Sequence, residues 1–395
     1  MTVVDEPRGA GVPYATGRVY LDADSHVVET PEWLAPYADP DIRDRLRELD
    51  LGRGGGAMAR QAVERARARA ESGAPALRDD QTVMSAKGWS ALGAFDAAER
   101  SEALDLLGFQ RQLVFSTFAP TQFESETDLD LLHGGSLATT RAIVDFCAGD
   151  DRLMPVGTLP MSDPARSAAA AAEAIAMGCP ALLVPSRPRA EVAPTHPDFD
   201  PVWAQLAEAG VPFMLHVGGG GAPIPRTYHR NGRQVTDWLG GGENLRSKDF
   251  MAIHVSAEVF LAALVLDGVF ERFPALRGGC IELGAMWVVP WLRRLDIAQT
   301  TFQRSEPDLS LPLAASEYAR RHLWFTPFPT EPVGWMIEQA GNDMFLFSSD
   351  YPHPEGGRDP LKRFEASMAG CSDAARQRFY AGNFADMMGI DVPPT

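Results

Sequence analysis

Three segments far apart in the chain end in residues that can bind a metal ion. The run VYLDADSH (19–26) carries Asp24 and His26, VPFMLH (211–216) ends in His216, and MFLFSSD (344–350) ends in Asp350. Imidazoles and carboxylates are common ligands of catalytic divalent metals, and this set suits zinc first, with manganese or iron as alternatives. The two-residue spacing of Asp24 and His26 places both side chains on one face of a strand. The pattern predicts a metalloenzyme with one divalent ion.

Each of these residues also has a purely structural interpretation. Asp24 can form an Asx turn, Asp350 can cap a turn, and a strand histidine such as His216 is more often a hydrogen-bonded core residue. Two observations favour ligands. A glycine run at 218–221 follows His216 and lets a ligand approach the backbone closely. Asp350 follows the apolar FLFSS, where an unpaired carboxylate is costly to bury.

Further titratable residues near the same strand ends are candidate catalytic groups beside Asp350. Glu282 ends the run CIELG and can act as a general acid or base or as an additional ligand, with a salt bridge to Arg293 or Arg294 as the alternative. His353 follows Asp350 in the adjacent loop, and His254 lies in the helical pattern FMAIHVSAEVF.

Candidate substrate-binding residues lie in the connections. Arg187, just after the fourth predicted strand, can clamp a substrate carboxylate. Arg226 and His229 lie in the long loop after the fifth strand, and Trp89 and Phe118 can line an apolar wall. For all five, the alternative is an ordinary surface or packing role.

Eight short apolar runs alternate with amphipathic patterns along the chain. The predicted strands are 18–24, 111–117, 153–159, 180–185, 211–217, 276–283, 322–326 and 344–349. The predicted helices are 130–148, 163–177, 198–209, 249–272, 284–300, 331–341 and 358–389. This alternation predicts an α/β fold, the (β/α)8 TIM barrel, in which all strand carboxyl ends open onto one face.

Two segments depart from the repeating pattern. Residues 35–100 include ARQAVERARARAE (59–71) and predict a helical insertion after the first strand, over the mouth of the barrel. Residues 1–17 are rich in glycine, proline and polar groups and predict a flexible tail, which leaves 18–395 as one barrel domain.

Composition restricts the partners and the compartment. A net charge of −17 and a pI of about 4.9 disfavour binding to nucleic acid or anionic membranes. Four cysteines without close pairs suit reduced thiols and a cytoplasmic protein. A small-molecule substrate and a homodimer or tetramer are expected, since most soluble oligomers are symmetric.

Four motifs resemble the amidohydrolase superfamily, in the branch of aminocarboxymuconate-semialdehyde decarboxylase and γ-resorcylate decarboxylase. They are LDADSHVVETPEW (21–33), LHVGGGG (215–221), GVFERFPALR (268–277) and FLFSSDYPHPEGG (345–357). The resemblance extends over roughly residues 19–389. It implies a barrel with one divalent metal held by Asp24, His26, His216 and Asp350.

The chain departs from the family pattern at two positions. The first-strand pair is His-x-His or Glu-x-His in the family and Asp24-x-His26 here. In the decarboxylases a histidine follows the sixth strand, and alignment on FPAL (273–276) places Glu282 there. A glutamate cannot serve as a permanent cation, but it can act as a base towards metal-bound water or protonate a leaving group if its pKa is raised, which favours hydrolysis or another lyase reaction.

Three functions remain open from the sequence. The first is non-oxidative decarboxylation of a small aromatic or unsaturated carboxylic acid, with Asp350 or another acid protonating the carbon. The second is hydrolysis of an amide, lactone or C–C bond by metal-activated water, with Asp350 or Glu282 as base. The third is a non-catalytic barrel that binds a small molecule, which the four intact ligand positions disfavour.

Overall fold

Seven parallel strands form a single curled sheet in chain order. The computed structural model describes residues 11–52, 54–78, 81–123, 126–187, 189–220, 224–233, 246–307 and 311–394. The strands are β1 Leu21–Val27, β2 Arg111–Ser116, β3 Leu153–Thr158, β4 Ala181–Leu183, β5 Phe213–His216, β6 Gly278–Ile281 and β7 Leu323–Phe325. Each strand pairs in parallel with its successor, which agrees with the predicted α/β class.

The segment 344–351 lies between the two edge strands of this sheet. On one side the Phe325 N–H donates to Met344 O (2.8 Å), and on the other the His26 N–H donates to Tyr351 O (2.7 Å). The pairing consists of isolated parallel bridges to β7 and β1 rather than a regular ladder. This segment therefore takes the place of the predicted eighth strand, and the architecture is consistent with a TIM barrel.

Helices cover the outside of the sheet and fill its connections. Their bounds are α1 Pro40–Arg43, α2 Gly55–Ser72, α3 Ala97–Leu107, α4 Ala119–Gln122, α5 Leu129–Cys147, α6 Pro164–Ala176, α7 Asp200–Ala209, α8 Ser247–Phe250, α9 Val255–Leu266, α10 Val269–Arg272, α11 Val288–Phe302, α12 Ala315–His322, α13 Val333–Ala340, α14 Pro360–Ser367, α15 Asp373–Gln377 and α16 Asn383–Met388. The predicted helix at 249–272 is divided into α8, α9 and α10, and 358–389 is likewise divided. The short, polar α12 was not predicted.

Two apolar clusters hold the barrel together. The inner cluster fills the ring of strands with side chains such as Leu21, Phe115, Met214 and Ile281, and α16 closes its lower end with Phe384. The outer cluster packs the helices against the sheet. The interior is therefore a filled core, and only the carboxyl ends of the strands are available for a site.

The connection between β1 and β2 is the longest in the barrel and contains α1, α2 and α3. The helix α2 contains the Arg- and Ala-rich sequence at 59–71. The part of the predicted flexible tail that the structure describes is packed rather than free: Tyr14 and Ala15 are buried, and their N–H groups donate to Leu106 O and Leu107 O of α3. Residues 1–10 lie outside the described residues.

One segment is long and apolar enough to cross a membrane by length and composition alone, Ser247–Leu266. In the barrel it is α8, a turn and α9. Phe260, Leu261, Leu264 and Val265 of α9 are buried in the outer cluster. Other apolar side chains of the segment, among them Met251 and Val259, are exposed.

Candidate metal centre

A bulge in β1 lies beside the two metal-binding candidates of the first strand. The pairing of β1 with β2 shifts register between Asp22 and Ser25, so one extra residue is accommodated there. Bulges are frequent next to active sites because they redirect side chains. Beyond the bulge the strand continues to Val27. The sequence predicted a strand that ends at Asp24, whereas both Asp24 and His26 lie within β1.

The four predicted ligands converge at the upper end of the barrel. Asp24 Oδ1 lies 3.2 Å from His26 Nε2 and 3.3 Å from His216 Nε2. His26 Nε2 is 3.7 Å from Asp350 Oδ1, and His216 Nε2 is 3.4 Å from Glu282 Oε2. All five side chains are buried, with Glu282 the most exposed at 8%. Three strands and the 344–351 segment thus bring two imidazoles and three carboxylates together.

The side chains present fit a divalent ion. Among the described residues, both ring nitrogens of His26 are buried without a hydrogen-bond partner, which is costly in the absence of a ligand. Burial, with His353 and His216 nearby, lowers the pKa of His26 well below its usual value, so its imidazole is neutral and can donate a lone pair. Potential ligand atoms of Asp24, His26, His216 and Glu282 lie within 4.8 Å of one another.

A second group of potential ligands overlaps the first. It consists of His26, Glu282, Asp350 and His353, again within 4.8 Å. Glu282 and Asp350 have left-handed backbone conformations, with φ of 53° and 50°. Such strain costs about 1–3 kcal/mol per residue and is concentrated at functional sites. Of the two alternative partners of Glu282, Arg294 contacts Glu258 (2.5 Å) and Arg293 is exposed.

His353 is held beside Asp350 in a defined ring orientation. The Thr117 hydroxyl donates its only proton to Val27 O (2.7 Å), so it accepts from His353 Nε2 (3.0 Å). The other nitrogen, Nδ1, lies 3.1 Å from Asp350 Oδ1. Burial alone would lower the pKa of His353, but Asp350 and other carboxylates outweigh it and raise the pKa to about 9. His353 therefore carries a proton next to Asp350.

A buried carboxylate supports the cluster from below. Asp22 accepts hydrogen bonds from the Ser349 N–H (2.7 Å), the Ser349 hydroxyl (2.6 Å) and Gln112 Nε2 (2.7 Å). Burial raises the pKa of Asp22 to about 7 against the effect of these bonds. Asp22 thereby ties β1 to the segment that carries Asp350.

The cluster opens into a cavity of about 700 Å³. That volume suits a small organic molecule. One wall is formed by Trp89 and Phe118, whose rings stack at 5.6 Å with an interplanar angle of 7°. Both residues line the cavity as predicted, together with His26, His216, Glu282 and His353.

Glu29 fixes the position of this aromatic wall. Its carboxylate accepts the N–H groups of Phe118 and Ala119 at 3.1 Å, and its carbonyl accepts the Trp89 indole N–H at 2.9 Å. Burial raises the pKa of Glu29 to about 7. Sequence reasoning missed this residue because its role depends on contacts across three separate segments.

Lys87 also lines the cavity and was missed by the sequence analysis. Its Nζ is buried without a hydrogen-bond partner. Burial lowers the pKa of Lys87 to about 8, although Asp350 and Glu355 oppose the shift. The Gly88 N–H next to it donates to Pro352 O (2.9 Å), which fixes this stretch against the 350–354 loop. A signal was present, since Lys87 is one of three lysines among the 36 basic residues.

Arg187, the predicted carboxylate clamp, is exposed and is not among the described residues that line the cavity. Arg189 lines the cavity, but its guanidinium donates to Phe123 O (2.8 Å) and Glu126 O (2.7 Å).

Three further candidates lie outside the lining of the cavity in the described residues. His229 pairs with Asp249 at 3.1 Å, and Arg226 is exposed in the same short turn. His254 stacks on Trp287 with ring centroids 5.4 Å apart. The structure does not bring these three side chains to the cluster.

Comparison with known proteins identifies the family of the chain. A family model described as amidohydrolase matches residues 22–390. The chain belongs to the amidohydrolase family. It is therefore an enzyme of lyase or hydrolase type, and the metal-type cluster coincides with the motifs that carried the resemblance.

Solved structures share the fold of this amidohydrolase. An amidohydrolase from Mycobacterium avium subsp. paratuberculosis K-10 is 21% identical with a TM-score of 0.73, covering 96% of this chain and 100% of that one. The 5-carboxyvanillate decarboxylase from Sphingomonas paucimobilis is 18% identical with a TM-score of 0.61, covering 95% and 100%. A dihydroxybenzoic acid decarboxylase from Polaromonas sp. JS666, with bound manganese and 2-nitroresorcinol, is 17% identical with a TM-score of 0.61, covering 94% and 97%.

Proposed function

We propose that this amidohydrolase is a metal-dependent, non-oxidative decarboxylase of a small aromatic or unsaturated carboxylic acid. One observation carries the proposal: a buried cluster of imidazoles and carboxylates borders the same cavity as an aromatic wall and Lys87. The two decarboxylases of similar fold act on aromatic acids, and one was solved with manganese, which supports manganese as a candidate beside zinc and iron.

The ligands of the proposed ion are Asp24, His26, His216 and Asp350, with Glu282 as an additional candidate. When bound, the ion supplies positive charge that orients the substrate's oxygens and stabilises the charge that develops during the reaction. Lys87 binds a second anionic oxygen, a carboxylate or phenolate, because its ammonium has no hydrogen-bond partner among the described residues. Trp89 and Phe118 hold the apolar face of the ring and exclude water.

Proton delivery falls to the pair formed by Asp350 and His353. The bond between the substrate carbon and its carboxylate breaks, carbon dioxide leaves, and the electron pair remains on the carbon. Asp350 receives a proton from His353 Nδ1 at 3.1 Å and passes it to that carbon, which leaves His353 neutral. Thr117 keeps the His353 ring oriented for this transfer.

Hydrolysis is the second candidate, and Glu282 favours it. This carboxylate lies 3.4 Å from His216 where the related decarboxylases are expected to carry a histidine. A carboxylate at that place can take a proton from an attacking water molecule. The substrate would then be an amide, lactone or activated C–C bond.

Product analysis separates the two functions. The zinc- or manganese-loaded enzyme is screened against hydroxybenzoic and unsaturated carboxylic acids for carbon dioxide release, and against amides and lactones for hydrolysis. Carbon dioxide release that is lost in Asp350→Ala supports the decarboxylase. Hydrolysis alone, lost in Glu282→Gln, would overturn it in favour of the hydrolase. Metal binding with a bound acid but no turnover would point to a binding barrel.

A further inference from the structure

The most deeply buried cation in the described chain, Arg100, lies directly behind the metal-type cluster. It belongs to the first turns of α3 and has a relative exposure of 0%. Among the described residues, no carboxylate forms an ion pair with the Arg100 guanidinium, and its Nε has no hydrogen-bond partner. Burial of a charge without a counter-charge is costly, so other contacts must hold the guanidinium in place.

Its hydrogen bonds converge on the backbone of the metal-binding strand. Nη2 donates to Ser25 Oγ and to His26 O, both at 3.0 Å, and Nη1 donates to Gly93 O at 3.3 Å. The Ser25 hydroxyl donates its own proton to Leu113 O (2.6 Å), so it can only accept from Arg100. The guanidinium therefore joins α3 to the stretch of β1 between Asp24 and His26.

A second contact joins Arg100 to the segment that carries Asp350. Its guanidinium carbon lies 5.2 Å from the Tyr351 ring centroid. The Tyr351 carbonyl accepts the His26 N–H at 2.7 Å, and its hydroxyl donates to Leu92 O at 2.6 Å. Arg100 thus contacts β1, which carries Asp24 and His26, and the 344–351 segment, which carries Asp350.

The chain is built for this close approach. Gly93 has φ of 67°, and a Cβ there would lie 2.3 Å from the Arg100 Cα. Only glycine permits α3 to begin so close to this turn. Since side chains alternate along a strand, Ser25 points to Arg100 while its neighbours Asp24 and His26 point to the cluster.

We infer that Arg100 is a positioning residue for the metal centre. It holds β1 and the 344–351 segment in the relative position that directs Asp24, His26 and Asp350 toward one ion. It touches neither the ion nor the substrate. The inference rests on the proposed metal centre. Groups that orient metal ligands from behind typically change metal affinity or activity by about 10–100-fold when they are removed.

The test compares metal affinity in Arg100→Met with that in Arg277→Met. Arg277 also donates to a backbone carbonyl, Gly210 O at 2.7 Å, but precedes β6 at the opposite end of the barrel. We expect about 10–100-fold weaker zinc or manganese binding in Arg100→Met, by chelator competition, and wild-type affinity in Arg277→Met. Ser25→Ala, which removes one of the acceptors, is expected to weaken binding to a smaller extent.

A thermal measurement distinguishes positioning from general stability. Metal binding raises the melting temperature in proportion to the logarithm of its affinity. We expect Arg100→Met to reduce this metal-induced rise, whereas Arg277→Met lowers the melting temperatures with and without metal equally. If Arg100→Met does not fold, Arg100→Lys, which keeps the charge with fewer donors, is expected to show the same reduced rise.

Unchanged metal affinity in the folded Arg100 variant would overturn the inference while leaving the metal centre intact. Failure of the wild-type protein to bind metal would instead overturn the proposed function.

Discussion

Glu282 and Asp350 share a left-handed backbone conformation, with φ of 53° and 50°, and their side chains belong to the same cluster of potential metal ligands. They are the two non-glycine residues with positive φ in the described part of the chain. Non-glycine residues adopt this conformation at a cost, and the strain persists only where surrounding contacts enforce it. At Glu282 one such contact is its N–H bond to Thr326 Oγ1 (2.8 Å).

This strain predicts an inverted order of stability at position 282. Glu282→Gly and Glu282→Ala both remove the carboxylate, but only glycine adopts a positive φ without steric cost. We expect the metal-free glycine variant to be more stable than the alanine variant by about 1 kcal/mol, the reverse of their usual order. Urea unfolding of both variants in chelator measures the difference. An alanine variant of equal or higher stability would show that the backbone relaxes freely.

Substrate binding should depend on Lys87. Lys87→Met keeps the length of the side chain and removes the charge, so the anionic oxygen of the substrate loses its partner. We expect KM to rise by about 10–100-fold, since hydrogen bonds to charged groups contribute about 1.5–3 kcal/mol, while metal content stays unchanged.

Arg65→Met is the matched control for Lys87. Arg65 also lines the cavity but is exposed, so water screens its charge. The KM of Arg65→Met should rise less than the KM of Lys87→Met. Equal effects would mean that overall positive charge at the mouth, rather than Lys87 itself, attracts the substrate.

Stability should vary with pH through Glu29. Its pKa is raised from 4.5 to about 7 by burial, so the folded state retains a proton that the unfolded chain has already released in this range. Stability is therefore lost as pH rises from about 4.5 to about 7, by up to roughly 3 kcal/mol from this group. Glutamine does not titrate, so Glu29→Gln lacks this pH-dependent contribution to the free energy of unfolding.

Urea unfolding at pH 5 and pH 8 measures this effect in the wild type and in Glu29→Gln. Other carboxyls such as Asp22 titrate in both proteins, so their contributions cancel in the difference. The variant should gain stability relative to the wild type on going from pH 5 to pH 8. A difference that is independent of pH would show that Glu29 is ionised throughout.

Much of the fold was predictable because the strands are short apolar runs at regular intervals. Seven of the eight runs became paired strands, and the eighth became a bridged segment between β7 and β1. The register of β1 was not predictable. Its bulge depends on pairing with β2 and Tyr351, which hydropathy does not encode, so the strand extends through His26.

The candidate metal ligands were predictable because they lie at the ends of apolar runs in the sequence. The residues that surround them were not predictable. Asp24, His26, His216, Glu282 and Asp350 were identified in this way. Lys87, Glu29 and Arg100 were missed because each acts through contacts between separate segments. His254 was assigned to the site from its neighbourhood in sequence, but α9 turns it toward Trp287.

Bound metal in the purified protein tests the central claim most directly. It is measured in the wild type and in Asp350→Ala, His216→Ala and His254→Ala, after reconstitution with zinc or manganese. We expect near-stoichiometric metal in the wild type and in His254→Ala, and its loss in the other two variants. A wild-type protein that binds no metal, or His216→Ala and Asp350→Ala variants that retain it fully, would rule out the proposed metal centre.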